Sequence, residues 1–101
     1  MDMKRGFGVI IGRLYPFLEH PLKRIRQEWA LMQTPGIELR IPTDTDTLLI
    51  FDRLADAVTC REAMWESRNP VSETILSLEY SYAERGVRIR GEIKEKDLRT
   101  E

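Results

Sequence analysis

The sequence is poor in the residues from which small proteins build staples and metal centres. It has one cysteine, Cys60, and one histidine, His20, in 101 residues. An internal disulfide is therefore excluded, and the cluster that a structural zinc site requires is missing. No apolar run approaches the ~20 residues needed to span a bilayer. Gly6 to Ile11 is too short and too glycine-broken for the apolar region of a signal peptide. Neither charge sign is in excess: 16 basic and 17 acidic residues leave a formal net charge of −1, which argues against a bulk electrostatic grip on DNA or RNA. These absences predict a cytoplasmic protein with a reduced thiol and no membrane association.

What is present is 42% apolar and 33% charged, a globular composition. It predicts a single α+β domain over residues 1–101, large enough to bury one core without metal or disulfide. Only the ends, Met1 to Lys4 and Asp97 to Glu101, are expected to be loose.

The longest stretch keeping one period runs from Asp44 to Asn69. Leu48, Phe51, Leu54, Ala55, Val58 and Trp65 recur at spacings that place them on one side of a helix, facing a core. Asp44, Thr45 and Asp46 supply capping oxygens upstream, and Asn69 with Pro70 supplies a stop. Leu49, Cys60 and Met64 project from the opposite flank, with Arg53 and Asp56 interspersed. A second apolar face fits either a helix placed centrally in the fold, with ordinary core on both sides, or a protein interface, for which Leu49, Arg53, Cys60 and Met64 are the candidate contacts of a homodimer. The competing reading makes Ile37 to Ile41 and Thr47 to Phe51 a hairpin around Pro42 to Asp46, in which case the layout is related to the ferredoxin-like sandwich.

Upstream, Leu14, Leu18, Leu22, Ile25, Trp29 and Met32 also keep a helical period. Proline is tolerated in a first turn and costly further inside, which predicts a lead-in from Leu14 and a helix from about Pro21 to Gln33, stopped by Thr34-Pro35-Gly36. Its outer side is expected to carry Lys23, Arg24 and Gln27, with Arg26 at the border. Ile37 to Ile41 alternates like a strand with one buried face. Leu76, Leu78, Tyr80 and Tyr82, then Val87, Ile89 and Ile93, alternate with polar residues and predict a hairpin. A four-residue loop, Ala83 to Gly86, pairs Tyr82 with Val87, Tyr80 with Ile89 and Glu79 with Arg90. Gly86 is then the loop residue expected at positive φ, and Gly91 leaves a gap for Trp65. The expected fold is two helices packed on one face of a small, mainly antiparallel sheet, in the order (β)αβαββ.

The segment Lys4-Arg5-Gly6-Phe7-Gly8-Val9-Ile10-Ile11-Gly12 resembles the octapeptide of RNA-recognition motifs and cold-shock domains, a basic residue followed by Gly-Phe-Gly and hydrophobics. The resemblance implies a strand that stacks bases on its aromatic residue. It covers about eight residues. Val9 and Ile11 stand where further aromatics belong, and the segment opens the chain instead of forming a third strand. Beyond it the basic first helix offers Lys23, Arg24 and Arg26.

Catalytic candidates are few. His20, before Pro21, suits a cap or a surface position, and Cys60 lies mid-helix with nothing to lower its pKa. Asp44, Asp46, Asp52 and Asp56 lack calcium-loop spacing, and capping is their simpler role. No catalytic residue, metal or cofactor is expected, and the chain is not expected to be an enzyme. The function expected is a small intracellular protein-protein interaction module, an adaptor, inhibitor or accessory subunit that self-associates. The alternative is nucleic-acid binding through Lys4, Arg5, Phe7, Lys23, Arg24 and Arg26.

Overall fold

The segment Lys4–Gly12 forms a nine-residue strand, β1, and takes the middle of the sheet. In a computed structural model that describes residues 2–93, the chain continues as α1 (Pro21–Met32), β2 (Ile37–Pro42), β3 (Asp46–Phe51), α2 (Leu54–Glu66), β4 (Ile75–Ser81) and β5 (Gly86–Ile93). The strands form one five-stranded sheet in the order β2-β3-β1-β4-β5, antiparallel at every pairing. Both helices lie on one face, α2 over β1 and β3, and α1 alongside α2. The α+β class, the shared helix face and the C-terminal hairpin agree with the sequence reading. Through β4 the connectivity is the split βαβ layout of ferredoxin-like sandwiches, and β5 adds an edge strand. The expected loose residues Met1 and Asp97 to Glu101 lie outside the described ones, and Lys4 already belongs to β1.

The additional strand is β3, and it corrects the long helix expected from Asp44 to Asn69. β3 is paired on both edges, by β1 and β2, and both of its faces are covered by core. Thr47, Leu49 and Phe51 point to the helices, while Leu48 and Ile50 point the other way. A strand buried on both sides reads as a continuous apolar run, which hides its period of two. Asp44 and Asp46 do not cap α2. They belong to the β2–β3 turn, where Thr43 Oγ1 accepts hydrogen bonds from the Thr45 and Asp46 amides at 3.3 and 3.0 Å. α2 starts after Arg53, which is extended and makes no side-chain cap. It ends at Ser67, and the left-handed residue beyond is Arg68 (φ 61), one position before the expected Asn69.

The core has two halves. On the helix side, Val9 and Ile11 of β1, Leu49 and Phe51 of β3 and Ile75 of β4 pack with Ala30, Leu31, Ala57, Cys60 and Met64 of the helices. On the opposite face, Leu39, Ile50, Leu76, Leu78 and Tyr80 are also buried, with strand residues alone around them. A bulge at Glu38 divides β2 between these halves, sending Ile37 to the first and Leu39 with Ile41 to the second.

The second half closes because the sheet curls. A flat sheet would hold its edge strands β2 and β5 roughly 19 Å apart, at about 4.8 Å per strand gap. Yet Arg85, in the β4–β5 turn, donates from Nη2 to the Arg40 carbonyl on β2 at 2.6 Å. Gly6 and Gly8 permit the curl. A Cβ at Gly6 would stand 2.8 Å from Tyr80 Cε1 and 2.9 Å from the Phe51 carbonyl oxygen, and one at Gly8 would stand 2.8 Å from Leu78 Cδ2. Neighbouring side chains occupy the room that these glycines leave.

The hairpin is shorter than its alternation implied. Tyr80 pairs with Val87 and Leu78 with Ile89, so the four-residue turn is Tyr82 to Arg85 and Tyr82 is exposed. The positive φ falls on Arg85 (54°) and not on Gly86. A register shift next to Ser77 skips Arg90, which still reaches Glu79 at 3.1 Å. Gly91 faces open space, and Trp65 does not enter it but remains 66% exposed.

Tyr80 closes the far half by donating its hydroxyl to Asp52 Oδ1 at 3.0 Å. Burial, that hydrogen bond and the negative charges of Asp52 and Glu38 push its pKa up from 10.0 to about 12. The fold thus favours the neutral phenol. The stability this contributes is whole below pH 10 and is lost as pH rises from there toward 12. In urea unfolding, Tyr80→Phe should flatten that alkaline decline; an unchanged slope would refute the assignment.

Gly6→Ala should cost roughly 1–3 kcal/mol, because the Phe51 backbone cannot withdraw from the new methyl group. Gly91→Ala, with nothing near, should stay within about 0.5 kcal/mol of wild type. Equal losses at the two positions would show that the close approach at Gly6 is not what stabilises the curl.

Candidate functional site

α1 is inverted relative to the sequence expectation. Its buried residues are Gln27, Ala30 and Leu31, whereas Leu22, Ile25, Trp29 and Met32 are 52–79% exposed. Leu18, in the turn before the helix, is 96% exposed and extends the same series. The side expected to carry solvated charge is thus the one that meets the protein at Gln27, and the expected core stripe faces water.

The inversion has a local cause in the lead-in between β1 and α1. Gln27 Nε2 donates to the Arg13 carbonyl at 2.8 Å, and Gln27 Oε1 accepts the Tyr15 amide at 2.9 Å. Arg24 Nη1 adds a bond to the Tyr15 carbonyl at 3.1 Å and pairs with Glu28 at 2.8 Å. The Tyr15 ring receives the His20 ring edge-on at 4.9 Å and Lys23 over its face at 4.9 Å. The buried Gln27 amide must find partners, and the half-buried backbone of the lead-in supplies both of them. Turning Gln27 inward brings Ala30 and Leu31 into the core and leaves the larger apolar side chains outside.

The resulting face is a narrow seam. Within α1 the steps from Leu22 through Ile25 and Trp29 to Met32 run three, four and three, the 3.5-residue repeat by which one helix packs along another, and Leu18 is exposed in the turn before it. Beside it Trp29, Ala30 and Gln33 line a groove against Thr59, Glu62, Ala63 and Glu66 of α2, with a volume of about 540 Å³. Full burial of a large apolar side chain is worth roughly 1.5–3 kcal/mol. A single exposed apolar side chain needs no explanation, but four in register along one helix form a patch of the kind that marks a docking surface.

The chain matches no family model, no curated protein and no solved structure. Its own geometry is therefore the source of any functional reading.

The residues first nominated as an interface are not on that face. Leu49, Cys60 and Met64 have no exposed surface, and Leu49 belongs to β3 instead of the helix. Only Arg53, at the N-cap of α2, reaches solvent. What looked like a second apolar flank of α2 is the flank that meets the sheet. Burial raises the Cys60 thiol to about 12, which removes it from redox or nucleophilic chemistry.

The nucleic-acid candidates are dispersed. Lys4 and Arg5 begin β1, while Lys23, Arg24 and Arg26 lie on a different element, α1, which follows the opposite end of that strand. Phe7 is partly buried against the helix-side core, where no base can stack on it. The Gly-Phe-Gly sequence serves the curl of the sheet. Among the described residues no three His, Cys, Asp or Glu side chains gather as a metal would need, and no helix is long and apolar enough to cross a membrane.

The signal that could have revealed the outward apolar face was present. A helix resting on a core shows a broad apolar arc, and here the strict seam coexists with a separate Ala30–Leu31 patch nearly opposite it. In native protein Cys60 should resist thiol-specific reagents and become reactive only with unfolding, so its modification rate should follow denaturant concentration. Rapid modification without denaturant would show that this flank of α2 opens to solvent.

Proposed function

We propose that the chain is a protein-protein interaction module, an adaptor, inhibitor or accessory subunit, whose docking element is the outward face of α1. The observation that carries the reading is the register of Leu22, Ile25, Trp29 and Met32, all mostly exposed on one side of a helix whose other side is already packed, with the exposed Leu18 in the turn just before it. A helix laid into a groove or along another helix is read through anchors at these spacings. Trp29 and its neighbours supply the large apolar anchors that dominate such contacts. On this reading the chain is a binding component of the cytoplasm and not an enzyme.

The test is site-specific photo-crosslinking from Met32 in the native cell. Protein adducts should form, whether with another protein or with a second copy, and they should disappear when Ile25→Glu is introduced. Circular dichroism should be unchanged, because Ile25 lies outside the core. No adduct in the wild type, or adducts indifferent to Ile25→Glu, would remove the proposal.

A further inference from the structure

We infer that the outward face of α1 is covered by a second copy of this chain, the two α1 helices packing antiparallel across a two-fold axis between Ile25 and Trp29. The inference rests on the reading of this face as a protein-docking surface and names its occupant.

The spacing favours a helix as the occupant. Alternating steps of four and three concentrate the apolar side chains into a line, which suits knobs entering the gaps of a facing helix. A two-fold pairing offers each copy the same seam, so a self-complementary surface needs no second evolved partner.

The area is adequate. At the exposures observed, the five side chains present on the order of 500 Å², near the upper end for the largest patch of a typical monomer. Burying two such faces, with the flanking groove, removes roughly 1,000–1,200 Å² from solvent, the lower bound for a specific interface.

The charges select the direction. Arg26 is exposed on the flank of the seam that faces α2, one turn from Trp29, and Glu62 and Glu66 line the groove beside Trp29. None of the three takes part in an ion pair among the described residues. Antiparallel pairing about Ile25 and Trp29 carries Arg26 of each copy over the carboxylates beside the other copy's Trp29, twice by symmetry. It also opposes the two helix dipoles. A parallel two-fold would put the α2-facing flanks on opposite sides of the helix pair and carry Arg26 away from the other copy's Glu62 and Glu66, and an anionic lipid surface would meet Glu62 and Glu66 next to the seam.

Purified protein in sedimentation equilibrium, with anionic and neutral vesicles in parallel flotation, tests this. The wild type should be a dimer with a dissociation constant on the order of micromolar, and Ile25→Glu should be monomeric with an unchanged circular dichroism spectrum. Arg26→Glu should weaken dimerisation about tenfold, and Arg26→Glu combined with Glu62→Arg and Glu66→Arg should restore it. A monomeric wild type, a dimer that persists in Ile25→Glu, or no recovery in the triple variant overturns the inference. Flotation of a monomeric wild type with anionic vesicles overturns it and assigns the face to lipid. If the purified chain is monomeric while the Met32 adducts with another protein persist, the self-pairing falls and the docking reading stands.

Discussion

Two missing side chains in the central strand govern this fold. Gly6 and Gly8 leave the far face of β1 bare, and Tyr80, Leu78 and Leu48 close over the bare strip. The sheet can then bend until the β4–β5 turn reaches β2 and Arg85 bonds the Arg40 carbonyl. A sheet with helices on one side ordinarily needs a second layer, or water, on the other. Here the curl supplies the cover, and Tyr80 completes it through Asp52. The Gly-Phe-Gly sequence that resembles a base-stacking motif is thus explained by packing, with Phe7 on the opposite side from the cavity its glycines create.

This arrangement divides the work of the helices. α2 lies on β1 and β3 and inserts Ala57, Cys60 and Met64, which seals most of the helix-side core. Little sheet surface then remains for α1, which packs beside α2 through small residues. Its orientation is set by the pairing of Gln27 with the backbone of Arg13 and Tyr15. An unpaired buried amide or carbonyl costs about 1–3 kcal/mol, whereas an apolar stripe can be left in water until a partner covers it. The polar requirement is local and immediate, and it decides which side of α1 turns inward.

The sequence disclosed elements more readily than orientations. α1, β2 and the hairpin strands were legible because capping prolines, stop signals and alternation are local properties. Three features were not. β3 was obscured because burial on both faces removed its alternation, and its apolar residues continued the spacing of α2. The bulge at Glu38 was invisible because neither glycine nor proline sits on it, whereas the register shift beside Ser77 has its mark in Gly91, next to the skipped Arg90, which alternation alone does not use. The exposed apolar stripe of α1 was found and assigned to the wrong side, because periodicity identifies two sides of a helix without saying which of them meets the protein. The buried glutamine that decides it has partners 12 and 14 residues away, in a segment with no period of its own.

The way α1 is fastened has a mechanical consequence. Its anchors are the lead-in clasp at Gln27, two inward residues and the flank of α2, while the five strands hold one another through continuous ladders. Elements with few buried apolar contacts separate from a protein at a smaller free-energy cost than its central strands. The same helix therefore carries the largest exposed apolar stripe and the loosest attachment, so local opening of this protein starts at the Gln27 clasp and leaves the curled sheet beneath intact.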